Sequence, residues 1–196
     1  MDIGIDIDNV LADTIPSFLH FLDYEYGIHI RKPDITQFEF SYLIGRRPDE
    51  VLNLFNEFFR SDYSNNIKPV EGSVEAVSQL NKCHQVSVIT ARSPEFMEKT
   101  AEWLDRHYSG FKGLYSASSY GLDGAEKKKS EVCADLGIKM MIDDALHTAE
   151  DCSQNGIHAL LYDCPWNQAE LADGIVRVYS WQDILKKLDS LPVSFS

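Results

Sequence analysis

The sequence predicts an α/β fold, a doubly wound parallel sheet with a small helical segment inserted after the first strand. Two observations support this prediction. Short apolar runs that end in polar residues alternate with amphipathic helical stretches, and the alternation is interrupted once, between residues 14 and 69. Ligands of such sheets bind beyond the carboxyl ends of the strands, so polar residues at those ends are the first candidates for a functional site.

The predicted strands are apolar runs at residues 3–8, 86–90, 140–144, 159–162 and 175–179. Because apolar residues occupy consecutive positions, both faces of each strand are expected to be covered, as in a parallel sheet. Helical stretches, with apolar residues three and four positions apart, lie at 70–81, 94–107, 130–136 and 147–154. Gly137 and Gly156 each follow a helical stretch and precede a strand, as expected where a helix ends.

The interrupting segment carries half of the aromatic residues of the chain. Its spacing is helical at residues 15–26 and 49–59 and irregular around Lys32-Pro33-Asp34. We therefore expect a core formed by residues 1–13 and 70–196 and a helical cap formed by residues 14–69. A cap in this place lies beside the first strand end, where it can exclude water and select substrates.

Composition limits the classes of function. The chain has 196 residues, enough for one full hydrophobic core, and 18 basic against 31 acidic residues give a net charge of −13. That balance disfavours binding to a nucleic acid polymer, whereas a small anionic substrate fits if a bound cation offsets the charge. No apolar run approaches the ~18 residues of a membrane span, and the absence of a signal-peptide pattern after Met1 predicts a cytoplasmic protein.

Acidic residues follow two of the predicted strands. Asp6 and Asp8 are two positions apart, so in an extended strand their side chains face the same way and repel each other. Such a pair is typical either of a metal site or of acid–base chemistry. Oxygen ligands suit Mg²⁺, and Asp143 or Asp144 supplies a further ligand from a distant strand end. A turn or helix cap is the alternative role for any one of them.

A second group of residues is suited to binding phosphate. Thr90 ends a predicted strand, and its hydroxyl, with the amides that follow from Ala91, is a ready site for a phosphate oxygen. Arg92 is either a bidentate phosphate ligand or a surface residue. Lys129 ends a run of three lysines, and its place just before a helix lets it direct an ammonium group at the strand ends. Helix capping by Thr90 and solvation of the lysine run are the simpler alternatives.

Taken in chain order, these residues resemble the four motifs of the haloacid dehalogenase-like hydrolase superfamily. The matching segments are Asp6-Ile7-Asp8-Asn9-Val10-Leu11-Ala12-Asp13, Ile89-Thr90-Ala91-Arg92, Lys129 and Ile142-Asp143-Asp144. The first motif and the early insertion are most similar to the 5'(3')-deoxyribonucleotidases and their bacterial nucleotidase relatives. Val70-Glu71-Gly72-Ser73 and Pro165-Trp166-Asn167-Gln168 support that placement. Asn9-Val10 stands where many superfamily members have Gly-Thr, a departure that affects the turn after the first strand.

The resemblance implies a Mg²⁺-dependent phosphomonoester hydrolase with a Rossmann-like core. Asp6 is implied as the nucleophile that forms an aspartyl-phosphate, and Asp8 as the general acid and base. The implied Mg²⁺ ligands are Asp6, the backbone carbonyl of Asp8 and Asp143, while Asp144 orients the metal shell or binds the ion itself. Which of Asp143 and Asp144 binds directly is left open. Phosphate binding is assigned to Thr90, Ala91, Arg92 and Lys129.

The implied substrate is a (deoxy)nucleoside monophosphate, and Phe18 is the cap residue nearest to the catalytic segment. Its ring either contacts the substrate or belongs to the small core of the cap itself. A sugar phosphate or another small phosphomonoester is the alternative substrate. Two other classes stay open: a non-catalytic phospho-ligand binding protein on the same fold, and a phosphorylatable receiver domain, in which the order of the acidic residues differs.

Overall fold

A computed structural model describes residues 1–117 and 127–190. Its centre is one sheet of six strands: β1 (Asp2–Ile5), β2 (Gln85–Thr90), β3 (Gly113–Ser116), β4 (Met140–Asp143), β5 (His158–Tyr162) and β6 (Ile175–Val178). The strands lie in the order β3-β2-β1-β4-β5-β6, and every neighbouring pair is parallel. The predicted parallel α/β fold is therefore confirmed. Because β1 lies between β2 and β4, the carboxyl ends of these three strands meet at one edge.

Eight α-helices surround or extend this sheet in the described ranges. They are α1 (Thr14–Tyr26), α2 (Ser41–Ile44), α3 (Pro48–Arg60), α4 (Ser73–Leu80), α5 (Met97–His107), α6 (Lys129–Leu136), α7 (Leu146–Gln154) and α8 (Trp181–Asp189). Short 3-10 helices span Lys32–Asp34, Asp62–Asn66 and Pro94–Phe96. None of the described helices is both long enough and apolar enough to cross a membrane.

Helix α2, in the middle of the inserted segment, was not predicted from the sequence, and neither were two elements of the core. The edge strand β3 has four residues, all of them half-buried, so it carries neither a long apolar run nor a clear alternation. Helix α8 buries Trp181, Ile184 and Leu188 at helical spacing, and its first turn is capped by Ser180, whose hydroxyl accepts a hydrogen bond from the amide of Asp183. Both the helical spacing of these apolar residues and the N-capping serine can be recognised in the sequence.

The first strand is shorter than predicted. It ends at Ile5, although Asp6 extends the ladder through its N–H, which donates to the carbonyl of Ile142 at 2.9 Å. The chain then turns, because the carbonyl of Ile7 accepts hydrogen bonds from three successive amides and Asn9 adopts the left-handed conformation with φ 63°. Asn tolerates this conformation, which explains why it can replace a glycine here.

Two connecting segments join the cap to the core, and they lie side by side. The amide of Asp13 donates to the carbonyl of Lys68 at 2.8 Å, and the amide of Val70 donates to the carbonyl of Leu11 at the same distance. These contacts lie at residues 11–13 and 68–70, next to the predicted cap boundaries, and the division into core and cap stays a prediction. Within the cap, α1 packs against α3 through rings from both helices. Its interior is therefore aromatic.

Candidate active site

Asp6 is buried at the carboxyl edge of the sheet, directly after the central strand. The strand order places Thr90, the last residue of β2, on one side of it and Asp143, the last residue of β4, on the other. All three side chains are buried. Three of the residues singled out from the sequence therefore meet at one place because the topology brings their strand ends together.

Lys129 joins two of these carboxylates. Its Nζ lies 2.8 Å from Oδ1 of Asp6 and 2.8 Å from Oδ2 of Asp143, and all three groups are buried. Burial opposes the charge of the lysine, but the ion pairs with Asp143 and Asp6 outweigh it and raise the pKa of Lys129. As the first residue of α6, Lys129 is directed at the strand ends rather than at solvent.

The site contains three buried carboxylates, those of Asp6, Asp143 and Asp144, beside the single ammonium group of Lys129. Burial, with the nearby charges of Asp143 and Asp8, raises the pKa of Asp6 to about 7 even though Lys129 acts in the opposite direction. Burial and the nearby charges of Asp143 and Asp6 raise the pKa of Asp144 well above its ordinary value. The site therefore holds more negative charge than its protein groups neutralise.

The donor set fits a divalent cation. Asp6, Asp143 and Asp144 are buried, and each contributes a carboxylate oxygen within 4.8 Å of the others. Carboxylate oxygens are ligands that suit Mg²⁺, and a bound cation would relieve the repulsion between these carboxylates. These three side chains are the groups that would hold the ion.

Two side chains fix the orientation of Asp144. Its Oδ2 accepts one hydrogen bond from Nδ2 of Asn9 and another from Nε1 of Trp166, each at 3.1 Å. The amide of Asn167 donates to the backbone carbonyl of Asp144 at 2.8 Å. These contacts hold the carboxylate of Asp144 in one orientation.

The side chain of Asp8 is hydrogen-bonded to Arg92 and Thr14. Both of its oxygens accept hydrogen bonds from Arg92, at 2.7 Å and 3.0 Å, and Oδ1 also accepts one from Thr14. Burial raises the pKa of Asp8, but the Arg92 guanidinium and the hydroxyl of Thr14 outweigh it, so the net shift is downward. Its side chain is outside the group of three carboxylates, and a metal contact through its backbone carbonyl stays a prediction.

The predicted phosphate-binding residues have different surroundings. The hydroxyl oxygen of Thr90 accepts the backbone N–H of Arg92 at 3.2 Å, so its own hydrogen is left to donate to a phosphate oxygen. Ala91 is half-buried between them. The guanidinium of Arg92 contacts Asp8 and Thr100, which differs from the phosphate contact expected from the sequence.

Phe18 lies in the interior of the cap. Its ring is fully buried and stacks on Phe55, with ring centroids 3.9 Å apart, and it also contacts Phe40 and Phe58 edge-on. A substrate could reach this ring only if the cap rearranged. The arrangement matches the alternative considered from the sequence, in which the aromatic residues form the core of the cap.

Comparison with known proteins identifies the family. The sequence model described as "5' nucleotidase, deoxy (Pyrimidine), cytosolic type C protein" matches residues 1–189. The chain belongs to this nucleotidase family. It is a phosphoric monoester hydrolase of the haloacid dehalogenase-like superfamily, as the order of its motifs implies.

Relatives of this nucleotidase match it over nearly their whole length. A 5'(3')-deoxyribonucleotidase of Bacillus subtilis is 27% identical over 188 residues, covering 95% of this chain and 97% of the relative. A nucleotidase of Clostridium acetobutylicum is 22% identical over 191 residues, covering 97% and 95%. Among solved structures, a haloacid dehalogenase-like hydrolase family protein from Streptococcus pneumoniae has a TM-score of 0.70 at 15% identity, with 95% and 97% covered. The structural likeness supports the fold.

The roles of two residues in this nucleotidase do not follow from the sequence. The sequence indicates only the turn that Asn9 affects and the family resemblance of the segment Pro165-Trp166-Asn167-Gln168. Asn9 and Trp166 both donate to Asp144, from positions far away in the chain. An indole N–H beside a buried carboxylate is a strong interaction, but nothing in the sequence specifies which carboxylate lies within reach.

Replacing Trp166 by Phe is expected to weaken Mg²⁺ binding. The indole N–H helps to orient Asp144, and losing such a partner of a metal ligand typically costs about 10–100-fold in metal affinity. The measurement is the increase in melting temperature on titration with Mg²⁺. Trp103→Phe is the control, because it removes an indole hydrogen bond to the carbonyl of Ile67, away from the carboxylates. Equal Mg²⁺ affinity in the two variants would contradict the role of Trp166.

Mg²⁺ binding is expected to weaken as the pH falls through about 7. Below that pH Asp6 is protonated in the folded, metal-free protein, so the ion has to displace a proton. Because the pKa of Asp6 is raised in the folded state, its contribution to the free energy of unfolding is present at low pH. This contribution is lost as the pH rises from about 4 to about 7. Bound Mg²⁺ is expected to restore the lost stability. Melting temperatures at about pH 6 and about pH 8, with and without Mg²⁺, measure both effects. An equal Mg²⁺ shift at both pH values would contradict this expectation.

Proposed function

We propose that the protein is a Mg²⁺-dependent nucleotidase that hydrolyses (deoxy)nucleoside monophosphates through an aspartyl-phosphate on Asp6. The observation that carries the proposal is the shared contact of Lys129 with Asp6 and Asp143, at 2.8 Å each, beside Asp144. A nucleophile, a cation for phosphate oxygens and a metal-binding carboxylate thereby lie together. The family match over residues 1–189 supports the nucleotide as the class of substrate.

The first half-reaction transfers the phosphoryl group to the protein. An oxygen of Asp6 attacks phosphorus, forming a P–O bond to the carboxylate while the ester P–O bond breaks. Arg92 and Thr14 keep Asp8 ionised in the free enzyme, so Asp8 first takes up a proton from solvent and then gives that proton to the leaving oxygen. Thr90, whose hydroxyl hydrogen is available, and Lys129 hold the phosphoryl oxygens on which charge develops.

The second half-reaction restores the enzyme. Asp8, now ionised, takes a proton from the attacking water, and the P–O bond to Asp6 breaks as inorganic phosphate forms. When bound, Mg²⁺ would offset the repulsion between the Asp6 carboxylate and the anionic phosphate. One solved relative of this fold, a HAD-hydrolase of Bacillus subtilis at 11% identity and a TM-score of 0.63, was crystallised with magnesium bound. The carboxylates of this chain supply the donors for such an ion.

Phe38 is better placed than Phe18 to contact the nucleotide through its aromatic ring. Phe18 is fully buried, whereas Phe38 is half-buried in the cap and lies edge-on to His147, with ring centroids 5.0 Å apart. His147 is in the first turn of α7, three residues after Asp144. The ring of Phe38 therefore meets the core close to the carboxylates, where a nucleobase or sugar bound above them would lie.

A substrate panel tests the proposed function. With Mg²⁺ present, deoxynucleoside monophosphates are expected to exceed sugar phosphates in kcat/KM by about tenfold or more, because a sugar phosphate lacks the base that would contact Phe38. Chelation with EDTA should abolish turnover of every substrate, and added Mg²⁺ should restore it. A sugar phosphate ranking first would favour the alternative substrate class and leave the proposed chemistry standing, whereas full activity in EDTA would contradict the metal requirement.

A further inference from the structure

Arg92 fixes the plane of the Asp8 carboxyl group. Its Nε donates to Oδ2 at 3.0 Å and its terminal NH2 donates to Oδ1 at 2.7 Å, which is a bidentate contact. Thr14 donates a further hydrogen bond to Oδ1. The side chain of Asp8 keeps 28% of its surface exposed and that of Arg92 only 6%, so Asp8 is the member of the pair that a substrate can reach.

Arg92 is itself held by the core and by the cap. Its NH1 donates to Oγ1 of Thr100 in α5 at 3.2 Å. Its guanidinium carbon lies 4.7 Å from the centroid of the Phe59 ring, which belongs to α3 of the cap. A guanidinium over an aromatic face is attracted to the ring. The arginine therefore reaches Asp8 from a fixed position.

The part of the cap that contacts Arg92 is anchored to the core. Nζ of Lys99 donates to the backbone carbonyls of Phe59 and Ser61, at 2.8 Å and 3.1 Å, and the rings of Phe59 and Phe96 are 5.4 Å apart. Thr14, which also donates to Asp8, is the first residue of α1, where the predicted cap begins. Both groups that contact the Asp8 carboxyl thus depend on how the cap sits on the core.

We propose that Arg92 is a positioning residue for Asp8 rather than a phosphate ligand, and that it links the position of the cap on the core to proton transfer by Asp8. The inference rests on the proposed function, in which Asp8 moves the proton. Proton transfer requires the carboxyl group within hydrogen-bond reach of the oxygen that it serves. A group that fixes the plane of that carboxyl sets how often the productive geometry occurs.

The test is a double-mutant cycle between Arg92→Met and Asp8→Asn. Arg92→Met is expected to lower kcat by about 10–100-fold in the wild-type background, a part of what acid–base catalysis typically contributes. In the Asp8→Asn background the same change should lower kcat less than about twofold, because an arginine that acts only through Asp8 has nothing left to position. The inhibition constant of inorganic phosphate should stay within about twofold of wild type throughout. Arg92→Lys, which keeps the charge but loses the bidentate contact, should fall between Arg92→Met and wild type.

Arg60→Met is the matched control. Arg60 also makes a bidentate contact, with Glu95, and also lies over an aromatic ring, that of Phe96 at 5.8 Å, but on the exposed surface. Its replacement should leave kcat within about twofold of wild type. Two milder changes keep the test decisive if Arg92→Met does not fold. Phe59→Leu and Thr100→Val each remove one support of Arg92 and should lower kcat by about 3–10-fold, again only when Asp8 is present.

The outcomes separate the possible roles. A large rise in the phosphate inhibition constant for Arg92→Met, or effects that simply add to those of Asp8→Asn, would overturn the inference and make Arg92 a phosphate ligand or a purely structural residue. If Asp8→Asn were itself as active as wild type, the proposed role of Asp8 would fail as well. p-Nitrophenyl phosphate serves as substrate, so the result does not depend on which nucleotide is preferred.

Discussion

Asp6→Asn is expected to lower kcat by on the order of 10⁴-fold or more, because the amide cannot attack phosphorus or form the acyl phosphate. Asp6 is buried at the end of the central strand, 2.8 Å from Lys129, and its position is fixed by the sheet rather than by a loop. The change is nearly isosteric, so the fold should be retained. Release of phosphate from p-nitrophenyl phosphate and from a deoxynucleoside monophosphate measures the effect.

Asp2→Asn provides the control for this experiment. Asp2 begins the same strand at the opposite edge of the sheet, where it pairs with Lys112 on the surface. Its replacement should leave kcat within about twofold of wild type, since exposed ion pairs contribute little. Incubation of the wild-type enzyme with substrate should also label Asp6 transiently with phosphate. Wild-type turnover by Asp6→Asn would exclude Asp6 as the nucleophile.

Lys129→Met is expected to damage both stability and turnover. Removing the ammonium group leaves Asp6 and Asp143 buried without their shared partner, and breaking a buried ion pair typically costs about 3–5 kcal/mol in free energy of unfolding. Turnover should fall by about 10²–10³-fold, because Lys129 also holds a phosphoryl oxygen in the proposed mechanism. Denaturant unfolding without Mg²⁺ measures the first effect and steady-state kinetics the second.

Two comparisons make this prediction specific. Mg²⁺ should restore part of the lost stability of Lys129→Met, since the ion supplies positive charge to the same carboxylates. Lys112→Met, which removes the exposed pair with Asp2, should change the free energy of unfolding by less than about 1 kcal/mol. Equal unfolding curves for the two lysine variants would show that the buried pairs do not stabilise the fold.

The residues that follow buried strands were predictable, and the partners of their side chains were not. Asp6, Thr90 and Asp143 each follow or end an apolar run, and a parallel sheet brings such ends to one edge. The partners of Arg92 and Phe18 follow from packing instead. Arg92 contacts Asp8 across 84 positions of the chain, and Phe18 is covered by rings of α3 and of the segment before it.

By itself the sequence determined the class of fold, the order of the motifs and therefore the class of reaction, phosphomonoester hydrolysis, of the nucleotidase family to which the chain belongs. These features depend on local periodicity and on residue types at strand ends, which are legible along the chain. Only the tertiary structure decided that Asp8 faces Arg92, that Asn9 and Trp166 hold Asp144, and that Phe18 is enclosed in the cap. The physical reason is that a side chain's hydrogen bonds and ring contacts depend on distances between elements that are remote in sequence, and packing alone sets those distances.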